Sequence, residues 1–229
     1  MSISIVIPAY NESKNLPILI SEIYKYLDNK LIFEILIIDD CSTDNTTEII
    51  NNLLPGNIFL IKNKQNLGQS FSIIKGIEKA KNKTIVTIDA DLQNNPKDIL
   101  NLYKKYINNV DLKLVGGIRV KRKDNLIKIF SSKISNKIRM FILNDNCIDT
   151  GCSLKIFDKN IFLNFPKFNG IHRFLPALFK GYGYSTAFIK VDHRYRIHGK
   201  SKYGTIERLF RGIRDIIRVK KIINNFEKK

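Results

Sequence analysis

The pentapeptide Asp89-Ala90-Asp91-Leu92-Gln93 follows the apolar run Thr84 to Ile88 directly, so its carboxylates leave the mouth of a strand together. Two aspartates two residues apart, with an amide oxygen from Gln93, suit a hard divalent cation such as magnesium or manganese. An ion held there would serve a bound diphosphate by bridging its oxygens, neutralising charge and easing its departure. The plainer reading is an aspartate that only caps the turn or helix that follows.

Two other strand ends carry matching polar groups: Pro8-Ala9-Tyr10-Asn11-Glu12, and Asp39-Asp40-Cys41-Ser42-Thr43-Asp44. Parallel strands would bring all three to one edge. There Tyr10 can cover a base, Asp40 can accept from its imide, and Asp89 and Asp91 can hold the metal. Such a site binds a nucleoside diphosphate without a glycine-rich phosphate loop.

The elements that must position these groups are readable as alternation. Residues 3–8, 33–39, 58–62, 84–89 and 113–118 predict strands, and 13–27, 43–53, 68–80 and 96–106 predict helices between them, the last opening on Pro96. The unbroken apolar run Ile35-Leu36-Ile37-Ile38 suits a central strand covered on both faces. The fold class is therefore α/β, a doubly wound, mostly parallel sheet flanked by helices, whose ligands lie beyond the carboxyl ends of the strands. After residue 118 the pattern changes. Lys121-Arg122-Lys123 leads into a basic amphipathic segment, 125–143, followed by a strand at 152–157, a helix at 171–180 and a strand at 186–191. From Ile206 to Ile223, aliphatic residues recur at helical spacing among arginines and lysines.

The 229 residues, 44% hydrophobic and 26% charged, suffice for one substantial core. The net charge of +18 is unevenly held: residues 1–114 carry 13 lysines, no arginine and 13 acids, so the second half holds the whole excess. A lopsided chain offers a basic face to nucleic acid, an acidic membrane or a phosphorylated substrate. No apolar run reaches the roughly 18 to 20 residues needed to cross a bilayer, and the start lacks a signal-peptide pattern, which predicts a cytoplasmic protein. Cys41, Cys147 and Cys152 are too few for a disulfide framework and read as buried thiols. His172, His193 and His198 lack the mutual spacing of a metal site.

Six ordered segments carry a resemblance: IVIPAYNESKNL at 5–16, EILIIDDCSTDNT at 34–46, NLGQS at 66–70, TIDADLQNNP at 87–96, DTGCSLK at 149–155 and RIHGKSKYG at 196–204. Together they resemble family 2 glycosyltransferases of the GT-A fold, and within them the dolichol- or polyprenyl-phosphate sugar synthases. The resemblance implies a nucleotide-sugar donor, UDP- or GDP-linked, with Pro8, Tyr10, Glu12, Ile38, Asp40 and Ala90 around it. It assigns Asp89, Asp91 and Gln93 to a magnesium or manganese ion. Arg119, Arg196 and Lys202 match positions that hold phosphates, and Lys128 with Ser132 match a pair that contacts the acceptor phosphate, although Lys128 replaces an arginine and lacks its planar fork. The acceptor so implied is a polyprenyl phosphate. Its oxygen would attack the anomeric carbon with inversion, and no protein nucleophile is needed.

The resulting division is a catalytic domain at 1–204, with a nucleotide-sugar half at 1–118 and an acceptor half at 119–204, then an amphipathic helix at 205–229 that either lies on a membrane or packs on the domain. A lipid acceptor predicts a peripheral protein on the inner face of the membrane, attached directly, through a partner or as a homo-oligomer. Two alternatives stand beside this reading. One is a family 2 enzyme acting on a sugar hydroxyl of lipopolysaccharide or capsule, which would need a general base. The other is a basic nucleic-acid-binding protein, which leaves the aspartates at three strand ends without a purpose.

Overall fold

The computed structural model describes residues 2–53, 56–120, 136–196 and 205–227, with side-chain environments in the last helix at 212–226. Lys128, Ser132, His198 and Lys202 lie outside the described residues.

Seven strands form one sheet in the order β3-β2-β1-β4-β6-β5-β7. They are β1 (Ser2–Ala9), β2 (Ile32–Asp39), β3 (Ile58–Lys62), β4 (Thr84–Thr87), β5 (Leu112–Arg119), β6 (Lys155–Asp158) and β7 (Ser185–Val191). All pairings are parallel except those of β6, which runs antiparallel to β4 on one side and β5 on the other. The helices are α1 (Leu16–Leu27), α2 (Thr46–Asn52), α3 (Gln69–Lys79), α4 (Asp98–Ile107), α5 (Lys159–Leu163), α6 (Ile171–Gly181) and α7 (Thr205–Glu227), with a further helical turn pair at 136–143.

Alternation along the strands feeds two cores. Ile3, Ile5, Ile7, Ile35 and Ile37 face α1 and α4, whereas Val6, Leu36, Ile38 and Ile85 face α3 and α6. Each strand is thus apolar on both sides, as its unbroken run requires. Helix α1 supplies Leu16, Leu19, Ile20, Ile23 and Leu27 as one buried stripe, its proline tolerated in the first turn. Helix α7 docks through Asp215, Val219 and Ile223, spaced four apart and buried, while Ile213 and Ile217 remain exposed. Packing is therefore one of its roles.

The chain builds β1, β2 and β3 outward and then returns through α3 to lay β4 on the other side of β1. Strand order reverses between β1 and β4, and a crevice opens where their carboxyl ends diverge. The return path is tight: a Cβ on Gly76 of α3 would stand 2.5 Å from Val6 Cγ1 and 3.0 Å from Ile38 Cδ1. Both neighbours are β-branched and buried in central strands, so neither can swing aside. Gly76→Ala is expected to lose about 1–3 kcal/mol of stability through overpacking, despite alanine's better helix propensity. Urea unfolding of the two proteins measures it.

Candidate active site

The ends of β1 and β2 are laced together by side chains that the backbone needs. Asn11 stands at φ +57°, and its Oδ1 accepts from Thr43 N at 2.8 Å, while its own N–H donates to Ser42 Oγ at 2.9 Å. Glu12 N donates to Thr46 Oγ1 at 3.0 Å, its carbonyl accepts from Asn15 N and Leu16 N, and its Oε2 accepts from Asn15 Nδ2 at 2.6 Å. Asp39 is wholly buried and accepts from Ser42 N and Thr47 Oγ1. The two motifs form one rim, with half-buried Pro8 and Tyr10 beside it.

Asp40 is enclosed. One oxygen accepts from Leu67 N at 2.9 Å and Asn63 Nδ2 at 2.8 Å, and the other from Gly68 N at 2.8 Å. It shapes the turn that starts α3, where Gly68 takes φ +85°. Any base imide would have to share this carboxylate with three internal donors. The side chain of Ile38 has no exposure and packs against α3, because even-numbered residues of β2 point to that face. Only its main chain can meet a nucleotide. Ala90 is likewise buried, in the core on the opposite face.

Strand β4 ends two residues before Asp89, and the turn that follows is strained, with buried Leu92 at φ +62°. Several groups hold it. Ser153 Oγ accepts from Asp89 N at 3.2 Å and donates to Asn94 Oδ1 at 2.8 Å, and Thr87 Oγ1 donates to the Ser153 carbonyl at 2.7 Å. The 149–155 loop is thereby stitched to the 89–94 loop. Asp89 Oδ1 accepts from Gln69 Nε2 at 2.7 Å. Burial, reinforced by the charge of Asp91, pushes the Asp89 carboxyl up to about 7, against opposing contributions from Ser153, Lys155 and Arg119.

The donor chemistry fits a hard divalent ion. Asp89 and Asp91 offer only oxygen, with Gln93 next in line, and their mutual repulsion is a local excess of negative charge that a cation would relieve. Among the described residues no cluster of three His, Cys, Asp or Glu stands ready as a complete cage. Two carboxylates suit an ion that keeps water and substrate phosphates in its shell.

Cations of the second half reach back over these acids. Arg196 Nη2 donates to Asp91 Oδ2 at 2.7 Å. Arg194 places it there: its guanidinium forks onto Glu22 of α1 at 2.7 and 2.8 Å and donates to the carbonyls of Leu92 and Asn94. Arg119 donates from Nε and Nη2 to the two oxygens of Asp149 at 2.8 and 2.7 Å, lying over Gly151, where a Cβ would stand 2.8 Å from Nη2. The ammonium of Lys155, buried on β6, donates to the Cys152 carbonyl. Sequence reasoning missed Arg194, Ser153, Lys155 and the reach of Gln69; the readable signal among them was a lysine heading the short strand Lys155–Asp158.

The glycosyl transferase family 2 model matches residues 4–164. An undecaprenyl-phosphate 4-deoxy-4-formamido-L-arabinose transferase of Shewanella sediminis is 34% identical over 206 residues, covering 88% of this chain and 62% of its own length. One from Yersinia pestis is 33% identical over 221 residues, covering 94% and 66%. The chain thus spans just under two thirds of the length of these relatives. Among solved structures, glucosyl-3-phosphoglycerate synthase from Mycobacterium tuberculosis, crystallised with Mn2+, UDP and glucosyl-3-phosphoglycerate, superposes with a TM-score of 0.70 at 15% identity, over 95% of this chain and 78% of that one. Mannosyl-3-phosphoglycerate synthase from Rubrobacter xylanophilus gives 0.68 at 13% identity, over 96% and 72%. The fold is GT-A.

Ser70 Oγ lies 2.8 Å from His172 Nδ1 and accepts from Gly170 N at 2.7 Å, tying α3 to the start of α6. Burial first, then the charges of Arg173 and Lys155, depress the His172 imidazole to about 3. An unfolded histidine gains its proton near pH 6.5 and the folded one resists, so stability falls as pH drops through 6.5. Between pH 7 and 5 this group should cost about 1–2 kcal/mol. Urea unfolding at both values is expected to show that loss in the wild type and a correspondingly smaller one in His172→Gln.

Proposed function

The chain belongs to glycosyl transferase family 2, and from that premise we propose that it transfers a sugar from a nucleotide-sugar to a polyprenyl phosphate of the undecaprenyl type, with inversion at the anomeric carbon. The observation that carries this reading is the pair Asp89 and Asp91 at the crevice between β1 and β4, faced by Arg196 from the acceptor half. The names of the lipid-phosphate sugar transferases that the chain resembles supply the acceptor class.

The rim formed by residues 8–12 and 39–44 receives the nucleoside, with Tyr10 against the base. Asp89, Asp91 and Gln93 would hold a magnesium or manganese ion, which when bound neutralises the diphosphate and stabilises it as a leaving group. Arg196 lies across from them, within reach of the same diphosphate; the family resemblance gives Arg119 and Lys202 phosphate contacts as well, and Lys128 and Ser132 contacts to the acceptor phosphate. An acceptor phosphate oxygen forms a bond to the anomeric carbon while the bond from that carbon to the diphosphate oxygen breaks, and the electron pair leaves with the nucleoside diphosphate. A phosphate monoester, whose second pKa is about 6, is already ionised at neutral pH and needs no base. The arrangement of Asp149 agrees with this: both its oxygens face Arg119, so it acts as a counterion to that arginine.

A lipid acceptor places the enzyme on the inner face of a membrane, and the surface beside α7 suits that position. No helix among the described residues is long and apolar enough to cross a bilayer. Instead Ile138 and Phe141, the latter 91% exposed, and Ile213 and Ile217 of α7 present apolar side chains to solvent, and Ile142, Ile217, Lys220 and Lys221 line a shared groove. Exposed Lys137, Arg214 and Arg218 complete a basic surround. Aliphatic and aromatic groups would enter the headgroup region while each cation near an anionic surface contributes on the order of 1 kcal/mol.

Two measurements test the reading. Incubating the protein with labelled nucleotide-sugars, manganese and a short polyprenyl phosphate is expected to move label into the organic phase, and Asp91→Ala to lower the rate by at least about a hundredfold, a loss of roughly 2.7 kcal/mol in transition-state stabilisation. Label that instead reaches only a sugar-hydroxyl acceptor overturns the lipid-phosphate acceptor. For the membrane face, vesicles containing phosphatidylglycerol should co-sediment the wild type and leave the double variant Phe141→Glu, Ile217→Glu largely in the supernatant. Equal sedimentation of both would remove this surface from the proposal.

A further inference from the structure

The segment Asn66-Leu67-Gly68-Gln69-Ser70 has no part in the scheme above, yet four consecutive residues of it bond to three separate parts of the fold. The N–H groups of Leu67 and Gly68 donate to Asp40 at the end of β2. Gln69 Nε2 donates to Asp89 Oδ1 beyond β4 at 2.7 Å. Ser70 Oγ meets Gly170 N and His172 Nδ1 at the start of α6.

We propose that Gln69 is a positioning residue for the metal carboxylate Asp89, holding it through an anchor that Asp40 fixes on the nucleotide side; this rests on the reading of Asp89 and Asp91 as metal-binding. An aspartate has two side-chain torsions, and a single metal contact leaves its carboxylate free to swing. A neutral amide donor on one oxygen fixes the plane and leaves the second oxygen for an ion, and outer hydrogen-bond partners of this kind matter to metal affinity about as much as the ligands' own orientation does. A lysine at position 69 would fix the carboxylate but add a charge that competes with the cation. Glutamine supplies the donor without the charge. The anchor is itself rigid: Gln69 is the first residue of α3, Gly68 before it is held by Asp40, and Ser70 after it is held by α6. The reach of Gln69 is thus set by main-chain positions that cannot drift independently of the nucleotide rim.

The test is Mn2+ binding to the donor-free protein, followed by the loss of the free-ion electron paramagnetic resonance signal, for wild type, Asp91→Ala, Gln69→Leu and Gln69→Met. Asp91→Ala should abolish specific binding. Both Gln69 variants, which keep volume and lose the donor, should bind Mn2+ about tenfold more weakly, with an altered spectrum of the bound ion and an unchanged thermal unfolding midpoint. Two hydrophobic variants of different shape guard against one that fails to fold. If Asp91→Ala loses Mn2+ while both Gln69 variants bind with wild-type affinity, the positioning role is overturned and the metal reading stands. If Asp91→Ala binds as well as wild type, the metal reading itself is overturned.

Discussion

Carboxylates crowd the carboxyl edge of this sheet, and much of the surrounding structure exists to make that crowding tolerable. Asp39, Asp40, Asp89 and Asp91 sit at or just beyond the ends of two strands, three of them nearly or fully buried. Each buried anion is costly unless hydrogen-bonded or paired. The chain answers differently at each. Asp39 and Asp40 are satisfied by main-chain N–H groups and short polar side chains, which turns them into organisers of loops. Asp91 is met by an arginine. Asp89 accepts from a neutral amide, and burial and then the charge of Asp91 raise its carboxyl against the opposing pull of Ser153, Lys155 and Arg119. A cation between Asp89 and Asp91 would relieve their mutual repulsion.

Local pattern made most of the architecture legible. Runs of isoleucine and leucine marked the central strands, and their ends marked the site, because a parallel strand must deliver its carboxyl end to the same edge as its neighbours. Boundaries moved where side chains intervened: α1 begins at Leu16 and not at residue 13, since Glu12 to Asn15 form the turn whose carbonyl and amide bonds start the helix. The strand order was not legible, nor was the antiparallel insertion of β6 between β4 and β5, because such pairing joins residues about 70 apart with no local signature. Motif membership also said less than geometry about individual roles. Ile38 belongs to a motif and faces the core; Gln69 belongs to one and reaches Asp89, and only the three-dimensional path of α3 shows it.

The left-handed Cys41 and the strain at Leu92 fall on the two loops that carry the aspartates, and the left-handed Asn11 on the loop laced to the first of them. Non-glycine residues hold such conformations only where surrounding bonds over-determine them. Here those bonds come from other loops of the same rim: Thr43 for Asn11, Ser153 and Asn94 around the 89–94 turn. Each loop is shaped by its neighbour, so the rim is one cooperative unit, and a change in any loop propagates to the acids it presents.

The lopsided charge of the chain follows from the same constraint. A neutral first half builds the crevice with acids at its edge, and the second half must cover them. It does so over long sequence separations: Arg194 reaches Glu22 of α1 across 172 residues and Arg196 reaches Asp91 across 105. Once these pairs are made, cations remain on α7 and beside 136–143, exposed and interleaved with aliphatic side chains. Surface charges of that kind add little to fold stability, since exposed pairs are worth at most about 1 kcal/mol and like charges repel. Their combination with exposed Phe141 and Ile217 is costly for a protein surrounded only by water. It is favourable for one that works against an anionic, partly apolar surface, where the same side chains can be buried and neutralised together.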